Sequence, residues 1–532
     1  MQLADALRPN ALQDNHDTFC HLWVGGRVTR MTYADLYDGG SRYAAALRSA
    51  GVQPDTLVLI TLRHGADLLY AFFGAMFAGC IPSFLPPPTV RQDPGLYWSS
   101  HRQLFERIGP AALVTYRDNL AQVTTCIAEL PVAVLIADDV ATEPSHVPTA
   151  HRGGDDIALL QHSSGTTGLK KGVALSFDAI DRQVSAYADA IALTPHDCIV
   201  SWLPLYHDMG LIACLIVPFA SRVPLVLLDP LEWVARPRLL FEAIAAHEGT
   251  LTWLPNFAFH HLMRTVDDTS PIDLSRMRAF IDCSEPCKAD TFTQFAARFE
   301  RWGVRADQLQ VCYAMAEAVF AVTQTPLGRT PRTAQLHGQT RLSAGVPITG
   351  WQVQVVETDG QPLPDDAIGE IAIFGGSLFS GYFKLPEQTA RKFRDGWYLT
   401  GDLGCRHDGE IFITGRVDDL IIVHGKNLYA HDVEATVSQI PGVRPGRAVA
   451  VGLFSPDAGT DELLIIAEAS GAPDTYAGLA RSIKAAVAQD CALVPRTVHV
   501  VAPGWLVKTT SGKISRTDNL RKYTNSLLAI AS

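Results

Sequence analysis

The stretch HSSGTTGLKKG, residues 162–172, gathers side chains suited to holding phosphate. Gly165 and Gly168 allow tight turns and close approach of the main chain to a ligand. Ser163, Ser164, Thr166 and Thr167 offer hydroxyl donors, successive backbone N–H groups can form an anion nest, and Lys171 adds a positive charge. The chemistry implied is a polyphosphate cradle. Its spacing is neither that of a Walker A loop, which ends in Gly-Lys-Ser/Thr, nor that of the dinucleotide GxGxxG fingerprint. The plain alternative, a polar surface loop, fits poorly with so many glycines, hydroxyls and lysines in one short segment.

A cradle of this kind must be presented by a framework. The apolar run Ile157–Gln161 ends just before it and reads as a strand. Similar branched, apolar runs occur at Leu57–Leu62, Ala111–Tyr116, Val132–Ala137, Val223–Leu228 and Leu251–Leu254. Helical patterns lie between them: in Lys288–Gly303 the residues Ala289, Phe292, Phe295, Ala296, Phe299 and Trp302 share one helical face. Strand–helix alternation of this length predicts an α/β fold with parallel sheets flanked by helices, and ligands at the carboxyl ends of strands. After about residue 340 the runs shorten, as in Trp351–Val356 and Glu370–Phe374, and Gly, Pro and Asp punctuate them. That texture predicts a small antiparallel, barrel-like subdomain. The expected division is a large N-terminal domain over 1–415 and a small α+β C-terminal domain over 416–532, joined by a short hinge.

Composition narrows the possibilities. The chain has 532 residues, 47% hydrophobic and 19% charged, which excludes a disordered protein. A net charge of -11 argues against nucleic acid as a partner, because phosphate backbones need a basic field. Ten cysteines include no CxxC pair, so a disulfide framework or zinc site is not expected and a reducing cytoplasm is. The N-terminus, MQLADALRPN, lacks the basic start and apolar run of a signal peptide. The most apolar stretch, Leu68–Leu85, is read as a buried core helix running into a loop at Pro82, so no membrane span is expected.

The cradle does not stand alone. SWLPLYHDMG at 201–210, CSEP at 283–286, YAMAE at 313–317, YLTGDLG at 398–404, GRVDDLIIVHGKNLY at 415–429 and VKTTSGKISR at 507–516 follow in order. With these seven motifs over most of its length, the chain resembles the adenylate-forming superfamily of acyl-CoA synthetases, nonribosomal adenylation domains, fatty acyl-AMP ligases and luciferases. PLYHDMGLI, WLPNFAF, SEP and GKNLYAHDVE are most similar to the fatty acyl-AMP ligase branch.

The resemblance implies an ATP- and Mg²⁺-dependent activation of a carboxylic acid to acyl-AMP with release of pyrophosphate. A carboxylate is a poor electrophile and AMP supplies the leaving group; bringing two anions together demands cations. Residues Ser163 to Lys171 would hold the β- and γ-phosphates, and Glu317, closing YAMAE, would bind Mg²⁺ with Thr167 nearby. Ser284, Glu285 and Pro286 would line the adenine, Tyr313 would stack on it, and Asp402 and Arg416 would grip the ribose hydroxyls. Lys513 would bridge the carboxylate and the α-phosphate in the transition state. By the same resemblance His207 flanks the carboxyl end of the acyl pocket; the plain alternative is a helix-start histidine satisfied by Asp208. Asn256, with Trp253, Phe257 and Phe259, is expected near the acyl pocket, against the alternative of ordinary aromatic core. Asp418 would mark the hinge about which a mobile C-terminal domain turns, and Gly425 would leave room for a phosphopantetheine arm.

Departures from the family pattern bear on the acceptor. Lys170 and Val507 replace common prolines, and Ala314 a common glycine. The stretch between Glu317 and Gly345 is too short for the full insertion carried by fatty acyl-AMP ligases, which leaves a separate acyl carrier protein and CoA both open as partners. WLPNFAF offers no Asp to hold an α-amine, which favours an apolar or aromatic acid; Asp282 is read as a polar residue ending a strand. Competing readings are an acyl-CoA ligase, a luciferase-like oxygenase, and a nucleotide-binding scaffold without catalysis. The joint presence of Lys171, Glu317, Asp402, Arg416 and Lys513 argues against the last.

Overall fold

The computed structural model describes residues 2–531 except 89–93, 142–151, 164–170, 268–269, 286, 337–338, 424–425, 456–459, 492 and 509–513. Among the described residues the largest sheet has nine strands, in the order Val346–Pro347, Ala321–Gln324, Leu309–Ala314, Ala279–Cys283, Leu251–Leu254, Ile199–Ser201, Leu225–Leu228, Thr18–Val24 and Arg27–Thr32. Its centre is parallel and its margins antiparallel. The central strands are short, apolar and buried, as expected where helices cover both faces. The helix Ala289–Phe299 turns Phe292, Phe295 and Phe299 onto Phe241, Phe259 and Phe280. Gly303, at φ 91°, closes the following turn, where a Cβ would lie 2.8 Å from the Ser275 backbone.

A four-stranded parallel sheet, Ile81–Phe84, Leu57–Ile60, Ala112–Thr115 and Ala133–Ile136, corrects one expectation. The apolar stretch Leu68–Leu85 is not a helix that runs into a loop. The helix Ala66–Phe77 is followed by the strand Ile81–Phe84, and Pro82 lies within that strand. Ile81–Phe84 is an edge strand, where a residue lacking an N–H is tolerated. No described helix is long and apolar enough to cross a membrane.

Ile157–Ser163 and Lys171–Ser176 pair antiparallel, with Ser163 opposite Lys171, so the cradle residues 164–170 connect the arms of a hairpin. Gly381–Tyr382 adds a third strand, with Tyr382 opposite Val173. The expected antiparallel subdomain is five strands: Trp351–Val356, Gly369–Gly375, Trp397–His407, Phe393–Arg394 and Glu410–Arg416.

Beyond residue 416 the chain has its own cores. The strands Val443–Ser455, Thr460–Ala469 and Thr497–Val501 form one sheet. Ala448 and Ala450 join one buried cluster with Val433 and Ile483, while Val449 and Val451 join another with Leu506 and Tyr523. This is the two-residue alternation of a sheet covered on both faces. The main core of the preceding chain runs from Leu3 to Ile411.

Candidate active site

Glu317 stands in the turn between the strands Leu309–Ala314 and Ala321–Gln324. Three hydrogen bonds tighten that turn: Met315 N–H to Phe320 O, Ala318 N–H to Met315 O, and Val319 N–H to Ala316 O. Val319 has φ 63° and ψ -52°, a costly conformation for a β-branched residue. The three bonds hold this strained residue in the loop that carries the carboxylate. Phe379 N–H donates to the Glu317 carbonyl, and the Tyr382 hydroxyl donates to Glu317 Oε1 at 2.7 Å. Among the described residues Glu317 has no cationic partner within ion-pair distance. A half-buried carboxylate with an oxygen to spare and no guanidinium or ammonium on it suits a hard divalent cation. Lys171 stands close by, its Nζ 4.8 Å from the centre of the Tyr382 ring. Burial and then Lys392 hold the Lys171 ammonium below its ordinary range, against the pull of Glu317 and Asp418.

The residues expected at the nucleoside fall on two other loops and a strand pair. Ser284 follows the strand Ala279–Cys283 and has φ 73°, a second non-glycine residue in the left-handed region. Glu285 Oε2 accepts the Phe257 N–H at 2.9 Å, which ties the CSEP loop to the start of the helix Asn256–Thr265. Asp402 and Arg416 are directly opposite on neighbouring antiparallel strands, and Arg416 Nε lies 3.2 Å from Asp402 Oδ1. The Tyr313 hydroxyl donates to Asp402 Oδ2 at 2.6 Å. Burial opposes the Arg416 charge, but Asp402 and Asp419 outweigh it and hold the guanidinium above its usual value. Burial, then Asp402, pushes the Tyr313 phenol well up, so it stays a donor.

His207 Nδ1 is 2.6 Å from Asp208 Oδ1, which accepts the Met209 N–H. The two are in ion-pair distance, but Nδ1 is buried and makes no hydrogen bond among the described residues, so Asp208 does not satisfy it as a helix-start histidine would require. The helix it starts is unusual: Met209–Ile216 is a π-helix, buried throughout, with Gly210 so close to Pro204 that a Cβ would meet the carbonyl oxygen at 2.3 Å. Such wide turns mark functional segments. Gln161, on the strand leading to the cradle, donates to Tyr206 O at 2.8 Å and ties the two motifs together.

The residues expected at the acyl chain have separate partners. Trp253 is fully buried and its indole N–H donates to the Tyr187 hydroxyl at 2.8 Å, which in turn donates to Gln324. Phe257 is 42% exposed and meets the edges of Trp202 and Trp233, which stack on each other at 3.6 Å. Asn256 opens the helix beside it. Phe259 packs in the core against Phe292 and Phe295. Asp282 is fully buried, and burial followed by Glu285 raises its carboxyl well above the ordinary range.

Asp418 lies in the short turn Val417–Asp419 that follows Arg416. Its neighbour Asp419 receives Arg516 Nη1 at 2.6 Å, and Arg516 also grips Glu434 through Nε at 3.0 Å and Nη2 at 2.7 Å. The segment around Lys513 is bracketed by a bridge between Lys508 and Ile514 and by buried Asn519, which bonds both the N–H and the C=O of Val507. Arg341, on the hairpin strand Gln339–Leu342, reaches Asp432 Oδ2 at 2.8 Å and His431 Nε2 at 3.3 Å. That hairpin occupies the stretch in which the sequence shows a shortened insertion.

Ser164, Gly165, Thr166, Thr167, Gly168, Pro286, Gly425 and Lys513 lie outside the described residues, as does the side chain of Ser163. Sequence reasoning missed Tyr382 and Asn519, which carry no chemical signature of their own. Tyr398, Asp419, Glu434 and Arg516 lie within motifs but without an assigned role.

On an α/β framework, strand-end turns thus carry the Glu317 carboxylate, the Lys171 arm of a hairpin and the Asp402–Arg416 pair. The chain belongs to the family described as AMP-binding enzyme, which it matches over residues 9–383. It is 28% identical to a long-chain-fatty-acid AMP ligase of Mycobacterium bovis, over 98% of each chain. It is 30% identical to a 4-hydroxyphenylalkanoate adenylyltransferase of Mycobacterium tuberculosis, over 88% of this chain and 82% of that one. A solved structure from a study of fatty acyl-adenylate ligases of E. coli and L. pneumophila superposes with a TM-score of 0.91 at 25% identity, covering 99% of this chain and 98% of the other.

Proposed function

We propose that the protein activates an apolar or aromatic carboxylic acid with ATP and passes the acyl group to the phosphopantetheine thiol of a separate acyl carrier protein. In the first half-reaction a carboxylate oxygen attacks the α-phosphorus. The bond from that phosphorus to pyrophosphate breaks, and acyl-AMP remains. In the second the thiol sulfur, its proton lost, attacks the acyl carbon, a C–S bond forms, and AMP departs with the former carboxylate oxygen.

The observation that carries this reading is Glu317, a carboxylate that among the described residues has no cationic partner within ion-pair distance, beside Lys171 and the hairpin strands. Glu317, with Thr167, would hold Mg²⁺; when bound, the ion supplies positive charge against the phosphates. Lys171 and the cradle would bind the β- and γ-phosphates. Asp402, oriented by Arg416 and Tyr313, would accept the ribose hydroxyls. Ser284, Glu285 and Pro286 would border the adenine with Tyr313. His207 would flank the carboxyl end of the acid and Trp253, Asn256 and Phe257 its acyl part. Lys513 would neutralise charge at the α-phosphate, and rotation of residues 416–532 about Asp418 would exchange it for the Gly425 face.

A second reading, CoA as acceptor, is supported by the short Thr333–Leu342 hairpin in place of a longer insertion. Pyrophosphate release measured over a panel of fatty, aryl-alkanoic and amino acids tests the first half-reaction; release with none of them rejects it. Adding CoA or a phosphopantetheinylated carrier protein to preformed acyl-AMP, with thioester detected by mass spectrometry, separates the two acceptors.

A further inference from the structure

We propose that Tyr382 is a positioning residue for Glu317, set in turn by Tyr398, and that this pair orients the carboxylate for Mg²⁺. The inference rests on the assignment of Glu317 made above. Tyr382 has one hydroxyl proton, and it points to Glu317 Oε1 at 2.7 Å. The Tyr398 oxygen lies 3.0 Å from that of Tyr382, so Tyr398 is the donor in the second bond. Tyr398 thus backs the carboxylate in two ways, through Tyr382 and as a second phenol facing Glu317 itself.

The three residues come from three different sheets. Glu317 follows a strand of the nine-stranded sheet, Tyr382 belongs to the three-stranded sheet of the cradle hairpin, and Tyr398 to the five-stranded sheet. Both tyrosines are at most 5% exposed, and Phe379 packs on both rings. Their torsions are thus held by packing. The Tyr382 ring also lies beneath the Lys171 ammonium, so one side chain sets the carboxylate and the cation beside the cradle together. The choice of a phenol has a physical consequence. A lysine or arginine in this place would neutralise Glu317 and compete with a metal. A neutral hydroxyl fixes one oxygen and leaves the negative charge available, as outer-shell partners of metal-binding carboxylates do.

The test uses the full chain with the α,β-methylene analogue of ATP and Mn²⁺ in place of Mg²⁺, free Mn²⁺ being read by electron paramagnetic resonance. Tyr382→Phe keeps the ring and removes the hydroxyl; Mn²⁺ affinity is expected to fall about 10- to 100-fold. Tyr398→Phe is expected to weaken it severalfold, and Glu317→Gln more than either. Mn²⁺ affinity within about twofold of wild type in Tyr382→Phe, with Glu317→Gln weakened, overturns the positioning role and leaves the metal site standing. Unchanged affinity in Glu317→Gln overturns both. Should Tyr382→Phe not fold, Tyr398→Phe decides: unchanged Mn²⁺ affinity there refutes the relay.

Discussion

Glu317 and Glu434 are both partly buried carboxylates, and the protein treats them in opposite ways. Glu434 is saturated: it receives two nitrogens of Arg516 and the Ala450 N–H, and Arg516 ties it to Asp419 as well. Burial raises the Glu434 carboxyl, and Arg516 works against that rise. Among the described residues the Glu317 carboxylate meets phenols only, Tyr382 donating to Oε1 and Tyr398 facing it as a second hydroxyl. A carboxylate whose acceptor capacity is filled by fixed donors is a structural joint; one left with spare capacity and uncancelled charge is available to a ligand. In the C-terminal region Arg516 joins Asp419 and Glu434 into one ion cluster, whereas Glu317 keeps its charge beside Lys171.

Four experiments would break or sharpen that contrast. The largest effect is expected at Glu317. Glu317→Gln should lower acid-dependent pyrophosphate exchange by about 100- to 1,000-fold, equivalent to several kcal/mol, with little change in urea stability. A variant as active as wild type would show that the bare carboxylate is idle.

Arg516→Met should do the reverse. It strands Asp419 and Glu434 without their counter-charge, and should cost about 3 kcal/mol of stability in the C-terminal region. Hydrogen exchange across residues 443–501 would read the loss; unaltered protection there would mean that the triad bears no load.

The third test is pH. His431 is buried, and burial followed by the nearby Arg341 charge outweighs Asp432 and holds its imidazole down at about 4, from an ordinary 6.5. Below 6.5 the unfolded chain takes up a proton that the folded chain refuses. Stability from this group is therefore complete above about pH 6.5 and falls, by about 1 kcal/mol per unit, as pH drops toward 4. His431→Gln should flatten that slope in urea titrations; parallel slopes would assign the acid sensitivity to other groups.

The smallest effect is expected at Arg341. Its bond to Asp432 links the hairpin to the C-terminal region, and Arg341→Ala should cost about 1–2 kcal/mol, the loss of one charged hydrogen bond. If the link restrains rotation, the ratio of thioester formation to adenylation should rise a fewfold; an unchanged ratio would make it a simple surface tie.

Much of this was legible in the chain itself. Apolar runs such as Leu57–Leu62 and Leu251–Leu254 became buried strands, and the Lys288–Gly303 pattern became the helix Ala289–Phe299. Burial pattern and turn residues are local, so they are written at short range. Pro82 misled because a proline reads as a breaker unless its strand is known to lie at an edge. The π-helix at Met209–Ile216 had no periodic signal, being apolar on every face.

What the sequence alone determined was the family and the α/β alternation; it also named the candidate groups, from Lys171 and Glu317 to Asp402, Arg416 and Lys513. Only the tertiary structure decided which groups meet. Tyr382 reaches Glu317 across 65 positions, Tyr313 reaches Asp402 across 89, and Arg516 reaches Glu434 across 82. Such pairings arise from the order of strands in separate sheets and from how those sheets pack. A residue's partner at that distance is a property of the whole fold, whereas its tendency to be buried, to turn or to carry charge belongs to its own short stretch of chain.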